Sequence, residues 1–126
     1  MTTANTPPTH LVAGRPVRDP HARTFRAFDP RRGEALEPAF PEATTDEIAQ
    51  AVAAAEQAFD AFRALPGAER ARLLEAIATE IEALGDGLLE TAARETALPL
   101  ARLTGERART LAQIRAFAAL AREGSW

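Results

Sequence analysis

The sequence predicts an α+β fold that is mainly helical, with a short N-terminal strand and a β-hairpin followed by about four amphipathic helices. Two observations carry this prediction. Apolar and polar residues alternate on both sides of a turn at Asp29–Gly33, as they do in paired strands. From Thr44 onward, apolar residues instead recur at the three- and four-residue spacing of helices. The length of 126 residues suits a single domain.

The chain is predicted to begin with a disordered lead-in at residues 1–10 and one short strand. The lead-in is rich in Thr, Asn and Pro, and it buries too little surface to offset the entropy lost on ordering. Leu11–Val17 follows as a short edge strand, which Pro16 ends because proline lacks the N–H that a sheet requires. Strand and hairpin together are expected to occupy residues 11–41.

The hairpin is predicted from Thr24–Phe28 and Ala35–Phe40. Asp29-Pro30 is typical of the start of a turn, and Gly33 supplies the positive φ that closes it. An isolated two-stranded hairpin is only marginally stable in water, so we expect it to lean on another element.

Helices are predicted over residues 45–123. The first covers Asp46–Arg63 and begins at a capping box, in which the Thr44 hydroxyl and the Glu47 carboxylate satisfy each other's end of the helix. Its apolar residues share one stripe: Ile48, Val52, Ala55, Phe59 and Phe62. Such a stripe is either part of a core or a partner-binding face. The core interpretation is favoured because amphipathic faces of this kind usually pack within their own domain.

Three more helices follow the break at Pro66-Gly67. The second is expected to end at Gly85, the third to be capped by Asp86, and the fourth to carry Pro99 in its first turn and to extend to about Arg122. The predicted buried faces are Leu73, Leu74, Ile77, Ile81 and Leu84 in the second helix, Leu88, Leu89, Ala92 and Ala93 in the third, and Leu103, Leu111, Ile114, Phe117 and Ala118 in the fourth. Trp126 is expected to be either a packed anchor or the point at which a longer chain has been cut.

Composition narrows the classes of function. The formal net charge is −3 and all 15 basic residues are scattered arginines, so there is no electrostatic case for nucleic-acid binding. Cysteine is absent, which excludes disulfides, thiolate metal sites and a cysteine nucleophile within these residues. No apolar run is long enough to cross a bilayer, and the N-terminus lacks a secretory pattern. A cytoplasmic protein is therefore expected.

Residues of catalytic type are present without a catalytic arrangement. His10 and His21 have no carboxylate at ligand spacing, whereas zinc needs several ligands, so both are interpreted as solvated loop histidines. Ser125 is the one serine and has no neighbouring histidine to activate it. No glycine-rich phosphate loop occurs, and residues 85–87 (Gly-Asp-Gly) are interpreted as a helix stop followed by a cap.

The charged residues of the helices are interpreted as polar surface. General acid–base catalysis needs two carboxyl groups that converge on a cleft, and helix faces with (i, i+4) pairs explain the acidic residues better. The acidic residues in question are Glu75, Glu80, Glu82, Glu90 and Glu95. The arginines of the fourth helix lack the interleaved aromatics that stack on bases, so a solvated or partner-facing surface is favoured: Arg102, Arg107, Arg109, Arg115 and Arg122. We therefore predict no catalytic, cofactor-binding or metal-binding residue.

Several motifs occur in an order that carries a family resemblance from about Leu11 to Trp126. Residues 28–34 are similar to an Asn-Pro-x-x-Gly-Glu hairpin turn, with Asp29 in place of the usual Asn. The other motifs are an opening strand at residues 11–14, an Ala-rich first helix at residues 51–59, an R-x-x-x-L-x-x-I-A type helix at residues 70–81, and Glu-Thr-Ala at residues 95–97 where Glu-Thr-Gly is common. This order resembles the N-terminal region of the NAD(P)-dependent aldehyde dehydrogenases. Residues 98–107 and 122–126 look most like the α-ketoglutarate semialdehyde (2,5-dioxovalerate) dehydrogenase branch of that family.

The resemblance implies a partial aldehyde dehydrogenase fold and an oxidoreductase that converts an aldehyde to a carboxylate. That chemistry proceeds through a thiohemiacetal and hydride transfer to a nicotinamide, and it needs a Cys nucleophile, a Glu base, an Asn donor and a cofactor-binding βαβ unit. In the family, all of these follow the region matched here. The chain is thus expected to be an N-terminal fragment that is inactive alone and holds no NAD or NADP itself. Its expected partner is the remainder of the dehydrogenase chain or its oligomer. The alternative is a stand-alone, non-catalytic helical interaction module.

Overall fold

The computed structural model describes residues 8–125, which form two compact units. Unit 1 contains described residues up to Asp29 together with Gly33–Arg63, and unit 2 contains Pro30–Arg32 together with the residues from Ala64 onward. Four short strands precede four helices, so the predicted mainly helical α+β fold is confirmed. The predicted lead-in lies mostly outside the described residues, as does Trp126, and both predictions about them remain open.

The first strand of the prediction is in fact a hairpin. Strand β1 (His10–Val12) pairs antiparallel with β2 (Arg15–Val17) across a two-residue loop. The loop residues Ala13 and Gly14 both have positive φ, at 50° and 75°. Positive φ at both positions matches the twist of paired strands. The prediction of one strand over residues 11–17 was wrong because alanine is an uncommon residue for such a turn, so the sequence carried little signal of it.

The second hairpin forms as predicted. Strand β3 (Thr24–Asp29) pairs antiparallel with β4 (Glu34–Pro41), with an irregular register between Arg26 and Phe28. Gly33 has a φ of 71°, and its N–H donates to the Asp29 carbonyl at 2.9 Å. The rings of Phe25 and Phe40 stack across the pair, with their centroids 5.8 Å apart.

Helix α1 (Thr45–Arg63) completes unit 1, where it contacts β1. Its apolar stripe is exposed: the exposed fraction is 54% for Ile48, 63% for Val52, 58% for Phe59 and 47% for Phe62. The prediction that this stripe is core was therefore wrong. The spacing of the apolar residues shows which face of a helix is apolar. The other residues of unit 1 provide too little surface to bury that face of α1.

Unit 2 is a helical unit built on the pairing of α2 (Gly67–Ala83) with α4 (Leu100–Glu123). Helix α3 (Gly85–Thr96) also packs on α4. Contacts along the pair run in opposite directions, since Gly67 meets Ala121 whereas Glu82 meets Arg115, so α2 and α4 are antiparallel. Apart from Pro41 at the end of β4, the buried apolar residues of the described chain lie in this unit: Ala71, Ala78, Leu89, Leu103, Leu111 and Ala118.

Helix α2 meets α4 through its small residues. Ala71 and Ala78 are fully buried, and a β-carbon added at Gly67 would lie only 2.1 Å from the Ala121 carbonyl oxygen. Three of the five residues of the predicted large apolar face of α2 are exposed, namely Leu73, Ile77 and Leu84, whereas Leu74 and Ile81 are partly buried. That part of the prediction was wrong because a stripe of large residues does not mark a close contact that only Gly and Ala permit.

The ends of α3 and α4 follow the predictions in part. Gly85 has a φ of 60°, as expected of a residue that stops a helix, but Leu84 rather than Asp86 precedes α3 and no side chain caps it. On α4, Leu103, Leu111 and Ala118 are buried as predicted, whereas Phe117 is exposed. No side chain larger than leucine is buried among residues 8–125, so unit 2 has a small core.

Candidate functional site

The predicted capping box forms at the start of α1 and holds a buried carboxylate. The Glu47 N–H donates to Thr44 Oγ1 at 3.2 Å. In return, the N–H and the hydroxyl of Thr44 donate to Glu47 Oε2 at 2.8 and 3.1 Å. The N–H of Thr44 has the largest effect and holds the pKa of Glu47 below its ordinary value, against the opposing effect of burial. The hydrogen bonds of the capping box thus favour the ionised form of Glu47 at the helix N-terminus.

One oxygen of this carboxylate remains without a partner. Glu47 is only 6% exposed, yet its Oε1 has no hydrogen bond within the described chain, and the same holds for His10 Nε2. The His10 ring and, least of all, the backbone of Asp19 also lower the pKa of Glu47, but neither meets Oε1 in hydrogen-bond geometry. Both unpaired side chains line a cavity of about 230 Å³ between β1 and α1.

A second cavity continues along the same face of unit 1. It has a volume of about 350 Å³ and shares Leu11, Val12 and Ala51 with the first. Its remaining lining is small and apolar: Ala13, Ala54, Ala55 and Ala58. We call the two cavities together the β1/α1 groove. The sequence analysis missed it because the groove is lined largely by alanines, which a pattern of large residues does not report.

Two carboxylates of α2 act as partners of arginines on α4. Glu75 accepts two hydrogen bonds from Arg122, each 2.8 Å long, and Glu82 accepts one from Arg115 at 2.6 Å. The Arg122 guanidinium holds the pKa of Glu75 below its ordinary 4.5 through its hydrogen bonds, and Glu75 in turn raises the pKa of Arg122. These pairs cross between helices, whereas the sequence suggested pairs along one helix.

The other arginines of α4 are engaged in the same way. Arg107 donates to the Gly85 carbonyl at 2.6 Å, and Arg109 pairs with Glu106 at 2.7 Å. Arg102 lies 4.0 Å from the same Glu106. The α4 arginines therefore bind neighbouring acidic groups and a helix end, which agrees with their interpretation as polar surface.

An open cleft of about 610 Å³ lies in unit 2, beside α3 and the start of α4. Arg31, Glu90 and Arg94 line it, and all three side chains are exposed. Arg31 also donates to the Ala97 carbonyl at 2.7 Å, which fixes it against the end of α3. Catalytic acids and bases usually lie in a cleft that shields them from water, and these three side chains are exposed.

The remaining residues of catalytic type are bound locally. The backbone N–H of His21 donates to Asp19 Oδ1 at 2.8 Å. The Ser125 hydroxyl donates to Glu123 at 2.7 Å, and this bond holds the pKa of Glu123 below its ordinary value. Over residues 8–125, no three His, Asp or Glu side chains cluster as metal ligands. Within that range, no helix is both long and apolar enough to span a membrane.

The described strands do not form the βαβ unit of a dinucleotide-binding fold. Both sheets have two strands and are antiparallel, whereas the dinucleotide fold needs parallel strands joined through a helix, with a glycine-rich turn against the pyrophosphate. The sequence also lacks a cysteine to attack an aldehyde. That the chain contains no catalytic, cofactor-binding or metal-binding residue stays a prediction.

Comparison with known proteins identifies the class. The sequence pattern of the Aldehyde dehydrogenase family matches residues 17–125, and the chain belongs to this family. In structure, it is similar to a putative aldehyde dehydrogenase from Burkholderia cenocepacia, with a TM-score of 0.81 and 31% identity over 92% of this chain and 24% of that one. It is equally similar to PnpE in complex with nicotinamide adenine dinucleotide, with a TM-score of 0.81 and 30% identity over 94% of this chain and 24% of PnpE.

Two curated relatives indicate which branch of the family the chain resembles. Alpha-ketoglutaric semialdehyde dehydrogenase 2 of Azospirillum brasilense is 54% identical over 104 residues, which cover 82% of this chain and 20% of the relative. Alpha-ketoglutaric semialdehyde dehydrogenase of Acinetobacter baylyi is 48% identical over 87 residues, covering 69% of this chain and 16% of the relative. The predicted resemblance to this branch is confirmed. The chain spans about a fifth of the length of these relatives and corresponds to an N-terminal segment of the family.

Proposed function

We propose that this chain supplies the N-terminal segment of an enzyme that oxidises α-ketoglutaric semialdehyde to the corresponding carboxylate. The observation that carries the proposal is the 54% identity over 104 residues to a dehydrogenase named for that substrate. A second relative with the same named substrate supports it at 48% identity. The stand-alone interaction module considered above is not favoured, because the family pattern covers residues 17–125 and the similar structure from Burkholderia cenocepacia covers 92% of this chain.

The proposed role of this segment is structural. Aldehyde oxidation of the kind implied by the resemblance needs a cysteine nucleophile and a bound nicotinamide, and the chain has no cysteine. Its antiparallel hairpins do not fit the cofactor either. The rest of the enzyme would therefore hold NAD or NADP and the reacting groups, while this segment packs beside them. The chain alone is expected to have no dehydrogenase activity.

The proposal also covers the location of the enzyme and its partners. We place it in the cytoplasm, with the remainder of the dehydrogenase chain or its oligomer as partner and with neither nucleic acid nor membrane. The chain's net charge of −3 and the engagement of its α4 arginines by Glu75, Glu82 and Glu106 support the exclusion of nucleic acid.

A chimera tests the proposed function. The matched segment of the Azospirillum brasilense enzyme is replaced by this chain, and the reduction of NAD and of NADP is followed with α-ketoglutaric semialdehyde. We expect kcat/KM within about tenfold of the parent, a transition-state difference of about 1.4 kcal/mol. Acetaldehyde serves as the control substrate and should be oxidised far less well. A chimera that folds and binds the cofactor like the parent but does not oxidise the semialdehyde would overturn the proposal.

A further inference from the structure

We draw no further inference here: the strongest candidate, the open cleft of about 610 Å³ beside α3 and the start of α4, rests on the exposed side chains of Arg31, Glu90 and Arg94 and on a helix N-terminus without a side-chain cap, and nothing in the described residues shows what would occupy it.

Discussion

The two units differ in how much of their own apolar surface they bury. Unit 2 buries its core between antiparallel α2 and α4 and adds the Glu75–Arg122 and Glu82–Arg115 pairs across that contact. Unit 1 has a well-capped helix whose large apolar side chains stay exposed. The difference shows that capping and amphipathic period specify a helix, whereas the supply of a facing surface decides whether it becomes core.

The largest expected effect comes from shortening a buried side chain of unit 2, compared with shortening an exposed side chain of unit 1. Leu111 in α4 is 5% exposed, so Leu111→Ala removes buried surface and leaves a cavity, at a cost of about 2–5 kcal/mol. Val52 in α1 is exposed, so Val52→Ala is expected to change the free energy of unfolding by less than about 0.5 kcal/mol. Urea denaturation of the chain followed by circular dichroism measures both. Similar losses in the two variants would show that α1 is packed and would break the comparison.

The close contact of α2 with α4 gives the next largest effect. In Gly67→Ala the new β-carbon would overlap the Ala121 carbonyl, so the helices must separate, which is expected to cost about 1–3 kcal/mol. The matched control is Gly105→Ala in α4, where nothing lies within 4 Å of the added β-carbon. Because alanine has the higher helix propensity, this control is expected to stabilise the chain by about 1 kcal/mol. Thermal melts should move in opposite directions, and a shared direction would argue against a close contact at Gly67.

The helix cap of α1 and the packing of α2 on α4 show how far the sequence predicts the fold. The element order, the turn at Gly33 and the Thr44–Glu47 cap follow from local rules that act within a few residues, and all were predictable. The choice of Ala71 and Ala78 as the buried side of α2 depends on which helix lies opposite, and no local pattern contains that information. The same reason explains the exposed α1 stripe, whose cover is expected from residues outside the matched segment.

A third prediction concerns the stability that the Thr44 cap gives to the start of α1 in unit 1. Thr44→Ala removes the oxygen that accepts the Glu47 N–H, and it is expected to cost about 1 kcal/mol of helix stability. Thr45→Ala is the control, because the exposed Thr45 side chain makes no hydrogen bond in the described chain. Hydrogen exchange of the first α1 amides should accelerate in the first variant and not in the second. Equal exchange in both would show that the cap does not hold the helix.

Backbone strain at the end of α3 gives a smaller, stabilising effect. Ala97 has a φ of 59°, a left-handed conformation that disfavours a side chain, and it stands where the resembled family commonly has glycine. Ala97→Gly is expected to raise the free energy of unfolding by about 0.5–1 kcal/mol. Ala101→Gly, inside α4, should lower it by a similar amount. Urea midpoints check both, and a loss on Ala97→Gly would contradict the assignment of strain.

The smallest expected effect is the pH dependence of the Glu75–Arg122 pair. Because the folded pKa of Glu75 lies below its ordinary 4.5, its contribution to stability is present above about pH 4.5 and is lost as the pH falls through the folded pKa. Glu75→Gln should therefore melt slightly below wild type at neutral pH, with the gap closing under acid. Glu80→Gln, an exposed carboxylate on the same helix, should leave the melting temperature unchanged at both pH values. A gap that persists at low pH would rule out the charge of Glu75 as its cause.

Amide hydrogen exchange along the whole chain compares the local stability of α1 with that of α4 in one sample. We expect strong protection around Leu111 and weak protection around Val52 in the chain alone, with protection at Val52 rising on addition of the remaining portion of the dehydrogenase. Protection at Val52 equal to that at Leu111 in the isolated chain would contradict the claim that unit 1 lacks its covering surface.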